Sequence, residues 1–167
     1  MSSLVTVNTY AHSVTYVTDQ MLRSLRLIIV LIGLDQTKFV DSWETHERAI
    51  STWLRSGHLK AVILEIYHPQ NGLVTRCDLK IDYGYGGGQG SMWVDTDAIR
   101  YAIAKFGTIP PVCEYKVTLT TAPGEPHVPG WGDGKLFSTA GFTKQGLGTT
   151  IGTTSIGAEA AYWRKTS

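Results

Sequence analysis

This chain has little charge, few cysteines and no long apolar run. Only 17% of its residues are charged, and 15 Lys and Arg against 14 Asp and Glu leave a formal net charge of +1. A protein that holds nucleic acid or an anionic membrane concentrates basic residues on one face. Here Lys and Arg are scattered, and Arg23 and Arg26, the nearest approach to a cluster, fit a solvated helix face. No direct nucleic-acid or membrane partner is therefore expected. The two cysteines, Cys77 and Cys113, lack Cys-x-x-Cys spacing and each falls in a strand-like run. They read as small buried thiols in a reducing compartment, the cytoplasm. The apolar run LIIVLIGL at 27–34 is far shorter than the roughly 20 residues that span a bilayer, so it reads as a core helix segment. The N-terminus lacks the charged-then-apolar order of a secretory signal.

Catalytic signatures are equally thin. None of the five histidines (His12, His46, His58, His68, His127) stands four residues from another, and no His or Cys pair has zinc spacing. No metal or other cofactor is expected. There is no G-x-S-x-G elbow. The loop GYGGGQG at 84–90 lacks the G-K-[ST] ending of a phosphate-binding P-loop and does not open a parallel βαβ unit. It reads as a connector between a hairpin and a helix. Asp95 and Asp97 behind it read as helix caps rather than paired catalytic carboxylates. A small enzyme or nucleotide-binding protein using 84–90 stays open as the alternative function.

What the sequence does contain is order in its elements. Residues 1–9, rich in Val, Thr and Ser, read as a short extended arm. From 10 to 32 apolar residues recur every three or four positions (Val14, Val17, Met21, Leu22, Leu25, Ile28, Ile29), which predicts a helix stopped at Gly33. A second helix is expected over 42–56, capped by Asp41 or Ser42 with Glu44 in a capping box and stopped by Gly57. The period then changes to two. KAVILEIYH at 60–68 predicts a strand, Asn71-Gly72 a hairpin, and 73–83 a second strand. Its odd positions (Leu73, Thr75, Cys77, Leu79, Ile81, Tyr83) face a core, and its even positions (Val74, Arg76, Asp78, Lys80, Asp82) face water. A third helix follows from the Asp95 cap to Gly107, then a strand at 113–121. The sum is an α+β layer domain, three helices on an antiparallel sheet.

The last quarter is different. Eight of the 43 residues at 125–167 are Gly, many are Ser or Thr, and the apolar residues are spread out. Ordering such a stretch costs roughly 1–2 kcal/mol of backbone entropy per residue, and it cannot close a core of its own. Yet two Trp, two Phe and a Tyr argue against disorder. The economical reading is a segment that lies across a preformed body and is able to rearrange. It is also the nearest candidate to cover the open edge of the sheet, which is a template for an added strand. Its aromatics Trp131, Phe137, Phe142, Tyr162 and Trp163 either pin it to the core or contact a bound peptide, since Trp and Tyr dominate interface hot spots.

The order of these pieces resembles the bacterial HORMA-domain proteins of cyclic-oligonucleotide antiphage signalling. The matching runs are TYAHSVTYVTDQMLRSL at 9–25, WETHERAISTWL at 43–54, the LEIYHP-NG hairpin, SMWVDTDAIRYAI at 91–103, PGEPHVPGW at 123–131 and the terminal GTTIG…YWRK. The resemblance implies one HORMA-like domain: an N-terminal arm at 1–9, a core at 10–121 and a C-terminal safety belt at 125–167. It implies a non-catalytic peptide-binding switch between open and closed forms. The belt wraps a closure-motif peptide, which adds as a strand to the edge at 113–121. The closed form binds and activates a cGAS-like cyclic-oligonucleotide synthase, and an AAA+ ATPase re-opens it by way of the arm. The candidate peptide-contacting residues are then Tyr115, Val117 and Leu119 on the edge strand, and Trp131, Phe137, Phe142 and Trp163 on the belt. A plain structural subunit, whose last strand pairs permanently with a partner, is the third reading.

Overall fold

The computed structural model describes residues 2–85 and 92–166, with side chains from residue 10 onward. Helix α1 (Ser2–Leu31) is the long apolar helix. Val17, Met21, Leu22, Leu25 and Ile29 are fully buried along one stripe, as the three-and-four spacing requires. Its last turn is less central than the run of apolar letters suggests, since Val30 and Leu31 are 45% and 43% exposed. The stretch 2–9, expected as an extended arm, continues the same helix, because nothing in it breaks helical geometry.

A short helix α2 (Thr37–Asp41) was not expected. It runs into α3 (Trp43–Ser56) through Ser42, whose own backbone is nearly helical. This is why the capping box does not form. The Ser42 N–H is already bonded to Lys38 and Phe39 carbonyls, and its side chain caps nothing. The domain thus has four helices rather than three. Helix α3 turns Ala49, Ile50, Trp53 and Leu54 inward and ends on Gly57, in the left-handed conformation that favours glycine. Asp95 caps α4 (Thr96–Ala104) as expected, accepting from the Ala98 N–H at 3.1 Å.

The sheet has six antiparallel strands: β1 (Leu59–His68), β2 (Gly72–Asp82), β3 (Trp93–Val94), β4 (Glu114–Thr121), β5 (Phe142–Gly152) and β6 (Gly157–Lys165). Their order is β3-β5-β6-β2-β1-β4. One face lies under the helices and carries Val62, Leu64, Ile66, Cys77, Leu79, Ala158, Ala160 and Tyr162 in a single apolar core. Both cysteines are buried and unbridged, and burial raises each thiol pKa.

Two expectations are corrected here. In the last quarter β5 and β6 form a regular hairpin. That hairpin does not cover β4. It pairs with β2, Tyr162 opposite Cys77 and Ala160 opposite Leu79, so among the described residues no strand pairs with the outer edge of β4. The outer face of the sheet is not uniformly wet either. Asp78 is buried there beneath Arg76, which holds both its carboxylate oxygens at 2.7 and 3.0 Å. No helix among the described residues is long and apolar enough to cross a membrane.

Candidate peptide groove and its belt

Strand β4 ends at Thr121, and the chain then has no regular structure until β5. Pro123-Gly124 makes the first turn, held where the Ala122 N–H donates to the His58 carbonyl at 2.8 Å. The segment next lies along α3. There the two partners exchange indole bonds: Trp53 Nε1 donates to the Pro126 carbonyl at 2.7 Å, and Trp131 Nε1 donates to the Thr45 carbonyl at 3.2 Å. The Trp131 ring meets Trp53 and His46 edge-on, at 6.0 and 5.5 Å between centroids. Val128 is buried between these anchors. The turn at 129–130 brings Gly130 so close to α3 that a Cβ would lie 3.3 Å from Thr45 Cγ2, at a φ of +90°. Only glycine suits both conditions.

From Trp131 the segment crosses the outer face of the sheet. The Lys116 ammonium on β4 donates to the Lys135 carbonyl at 2.7 Å. The Phe137 ring lies 5.1 Å from the Tyr67 ring, with Lys116 Nζ 4.8 Å from its centre. Beneath it Glu65 is wholly buried. One of its oxygens accepts from the Phe137 N–H at 2.7 Å; the other faces Lys116 Nζ at 3.7 Å. The chain then turns at Gly141 into β5, on the far side of the sheet.

Between β4 and this strap runs an open groove. One part, of about 520 Å³, is lined by Lys116–Thr120 on one side and Trp131, Gly132, Gly134, Lys135 and Leu136 on the other. It continues past Leu119 and Trp131 into a part of about 440 Å³ lined by Trp53, Glu125, Pro126, His127, Val128 and Asp133. A free strand edge facing an apolar wall is the geometry for strand addition. Main-chain hydrogen bonds supply affinity, and side-chain pockets supply selection.

The seven candidate residues separate accordingly. Leu119 and Trp131 line both parts of the groove, and Val117 lines the first. Tyr115 sits inside the core. Its hydroxyl donates to the Asp35 carbonyl at 2.7 Å and accepts from the Phe39 N–H at 3.2 Å, and burial raises its pKa. Phe137 pins the strap to the sheet. Phe142 and Trp163 belong to β5 and β6, with β2 and β1 between them and β4. Trp163 packs on Arg76 and donates to Asp78 at 3.2 Å.

Sequence reasoning missed Trp53, Glu65 and the charged lining residues Glu125, Asp133 and Lys135. Glu65 alone left a signal, a single acid in an apolar strand. The glycine-rich connector falls largely outside the described residues, at 86–91. Among the described residues no group of His, Cys, Asp or Glu is placed to hold a metal ion.

The comparisons with known proteins agree with this architecture. The family model of bacterial HORMA domain 2 matches residues 1–166, and the chain belongs to that family. Solved structures show the same fold at low identity. A chain of a mitotic checkpoint complex superposes with a TM-score of 0.70 at 10% identity, over 95% of this chain and 97% of that one. A chain of the E. coli MS115-1 CdnC:HORMA-deltaN complex gives 0.63 at 11% identity, over 94% and 90%. C. elegans HTP-2 bound to the HIM-3 closure motif gives 0.54 at 12% identity, over 75% and 70%. None of the curated proteins matches the chain.

Proposed function

We propose that this chain is a non-catalytic conformational switch that traps an extended closure-motif peptide between β4 and the strap at 122–141. The observation that carries the reading is the free β4 edge facing Trp131 and Leu136 across the groove. We read the C-terminal hairpin paired with β2, and the strap carried round the outer face, as the closed form of the switch. Release of a peptide held this way requires the strap to leave Glu65, Lys116 and α3, so dissociation is slow. Kinship with a HORMA protein solved together with CdnC supports a signalling role. In its closed form the domain binds and activates a cGAS-like cyclic-oligonucleotide synthase in the cytoplasm of a bacterium under phage attack. An AAA+ ATPase re-opens it by engaging residues 1–9, of which 2–9 prolong α1.

Hydrogen exchange on the full chain tests the trap, with and without peptides selected from a random display library. A selected peptide is expected to slow exchange in β4 and across 122–141 together. Failure to select any peptide, or protection confined to the connector at 84–90, overturns the reading in favour of a small-ligand protein.

A further inference from the structure

The charges lining the groove are segregated, and this says what kind of peptide it takes. At the Thr121 end stand Glu125 and Asp133, with His127 beside them. At the other end stand Lys116 and Lys135. Glu125 and Asp133 are exposed, and neither has a Lys, Arg or His partner within 4.0 Å among the described residues. Lys116, by contrast, already serves Glu65 and the strap, which among the described residues leaves Lys135 as the cation of its end. Beside the acidic residues the lining offers two part-exposed apolar side chains, Leu119 and Trp131, with Trp53 and Val128 largely buried behind them.

We infer, resting on the peptide-trap reading, that the preferred ligand is an extended segment with a bulky apolar residue for the Trp53–Leu119–Trp131 wall and a Lys or Arg beside it. The basic residue lies at the Thr121 end; the opposite flank is neutral or acidic. Side chains of a strand alternate at about 3.3 Å per residue, so the apolar and basic positions are close neighbours in the ligand. An acidic residue at the Thr121 end meets two like charges, and this repulsion excludes wrong peptides as much as attraction selects right ones. The polarity of the groove thereby fixes the direction in which a peptide enters, which backbone pairing alone leaves open.

The test selects a random peptide display library on the full chain and on the double variant Glu125→Lys/Asp133→Lys, in the same buffer. Both positions are exposed, and an unchanged circular dichroism spectrum and melting temperature confirm that the variant is folded. Peptides enriched on the wild-type chain are expected to carry Lys or Arg on one consistent flank of an apolar residue, and those enriched on the variant to carry Asp or Glu there. Replacing the basic residue of a selected peptide by Gln is expected to weaken binding roughly fivefold at low salt, as for exposed ion pairs, and the difference is expected to fade as salt rises. Enrichment with the same charge pattern on both proteins overturns this inference while leaving the peptide trap intact. No enrichment on either protein overturns the trap itself.

Discussion

The carboxylate of Glu65 accepts a hydrogen bond from the backbone N–H of Phe137 at 2.7 Å, joining the middle of β1 to the strap 72 residues later. Glu65 is wholly buried, and a buried carboxylate is costly unless partnered. Its partners are the strap and Lys116, itself bonded to the strap through the Lys135 carbonyl. The path of the strap therefore supplies the one hydrogen bond this acid makes, while its second oxygen has only the Lys116 charge 3.7 Å away. If the strap leaves, the carboxylate regains water, which offsets part of the contact energy lost. Under the proposed switch, which requires two packings within a few kcal/mol of each other, this coupling is where the balance is set.

Replacing Glu65 measures that coupling. Glu65→Ala leaves the Phe137 N–H without its acceptor and the Lys116 ammonium without its nearby counter-charge, a loss of about 1–3 kcal/mol. Glu65→Gln keeps one acceptor oxygen and is expected to lose less. Amide exchange at 132–140 should accelerate strongly in the first variant and weakly in the second, with the α1 core unchanged. Equal exchange in both variants and the wild type would show that the strap is held elsewhere.

The helix-and-sheet body was legible because its signals are local. The three-and-four spacing of Val14 to Ile29, the alternation from Leu73 to Ile81 and the Asp95 cap each act within a few residues. The capping box at Asp41–Glu44 does not form because α2 already supplies bonds a cap would make, and the start of α2 is marked only by Asp35, whose carboxylate accepts from the Thr37 N–H at 2.9 Å. Pairing of β6 with β2 was not legible, since nothing in AEAAYWRK names its neighbour across 80 residues. The candidate site was half legible. Leu119 and Trp131 were chosen because an edge strand and a Trp are informative by type. Phe142 and Trp163 are informative by the same rule, but their strands β5 and β6 are separated from β4 by β2 and β1. The role of Glu65 depends on a partner 72 residues away and emerges only from the folded chain.

The two indoles fix the start of the strap. Trp131→Ala removes a half-buried ring and its bond to Thr45; burial of this extent is worth about 2–3 kcal/mol, below the 3–5 of a fully buried aromatic. Trp53→Phe keeps the ring but strands the Pro126 carbonyl, for about 1 kcal/mol. Both are expected to speed release of a bound peptide, and Trp131→Ala more so because its ring also walls the groove. Stopped-flow dissociation of a labelled selected peptide reads the two rates. Rates unchanged from wild type would remove the α3 anchor from the mechanism.

Gly152 provides a substitution away from the groove. A Cβ there would lie 2.5 Å from Trp93 Cε2 and Nε1, where Trp93 pairs its strand with β5. Gly152→Ala should push the indole off and undock β3, costing about 1–3 kcal/mol as overpacking does. The melting temperature is expected to fall while peptide affinity at 25 °C holds. A loss of affinity equal to that of Trp131→Ala would mean that the β5–β6 hairpin and the groove are one cooperative unit.

His46 makes the anchor sensitive to pH. Its ring is stacked on Phe39 at 5.5 Å and meets Trp131 edge-on at the same distance. Burial lowers its pKa below the ordinary 6.5, against a smaller opposing effect of the Ser42 backbone. The sign follows from proton counting. Between the folded and unfolded pKa values the unfolded chain binds a proton that the folded chain refuses, so stability rises with pH across that window. The contribution is complete above about pH 6.5 and is lost as pH falls through 6.5 toward the lower folded value. Because Trp131 is the strap's own contact with His46, the loss should appear as weakened strap docking, read by Trp131 indole N–H line broadening in NMR spectra between pH 7.5 and 5.5. His46→Phe, which keeps an aromatic ring and cannot titrate, is expected to flatten that response. A pH dependence identical in His46→Phe would assign it to the carboxylates instead.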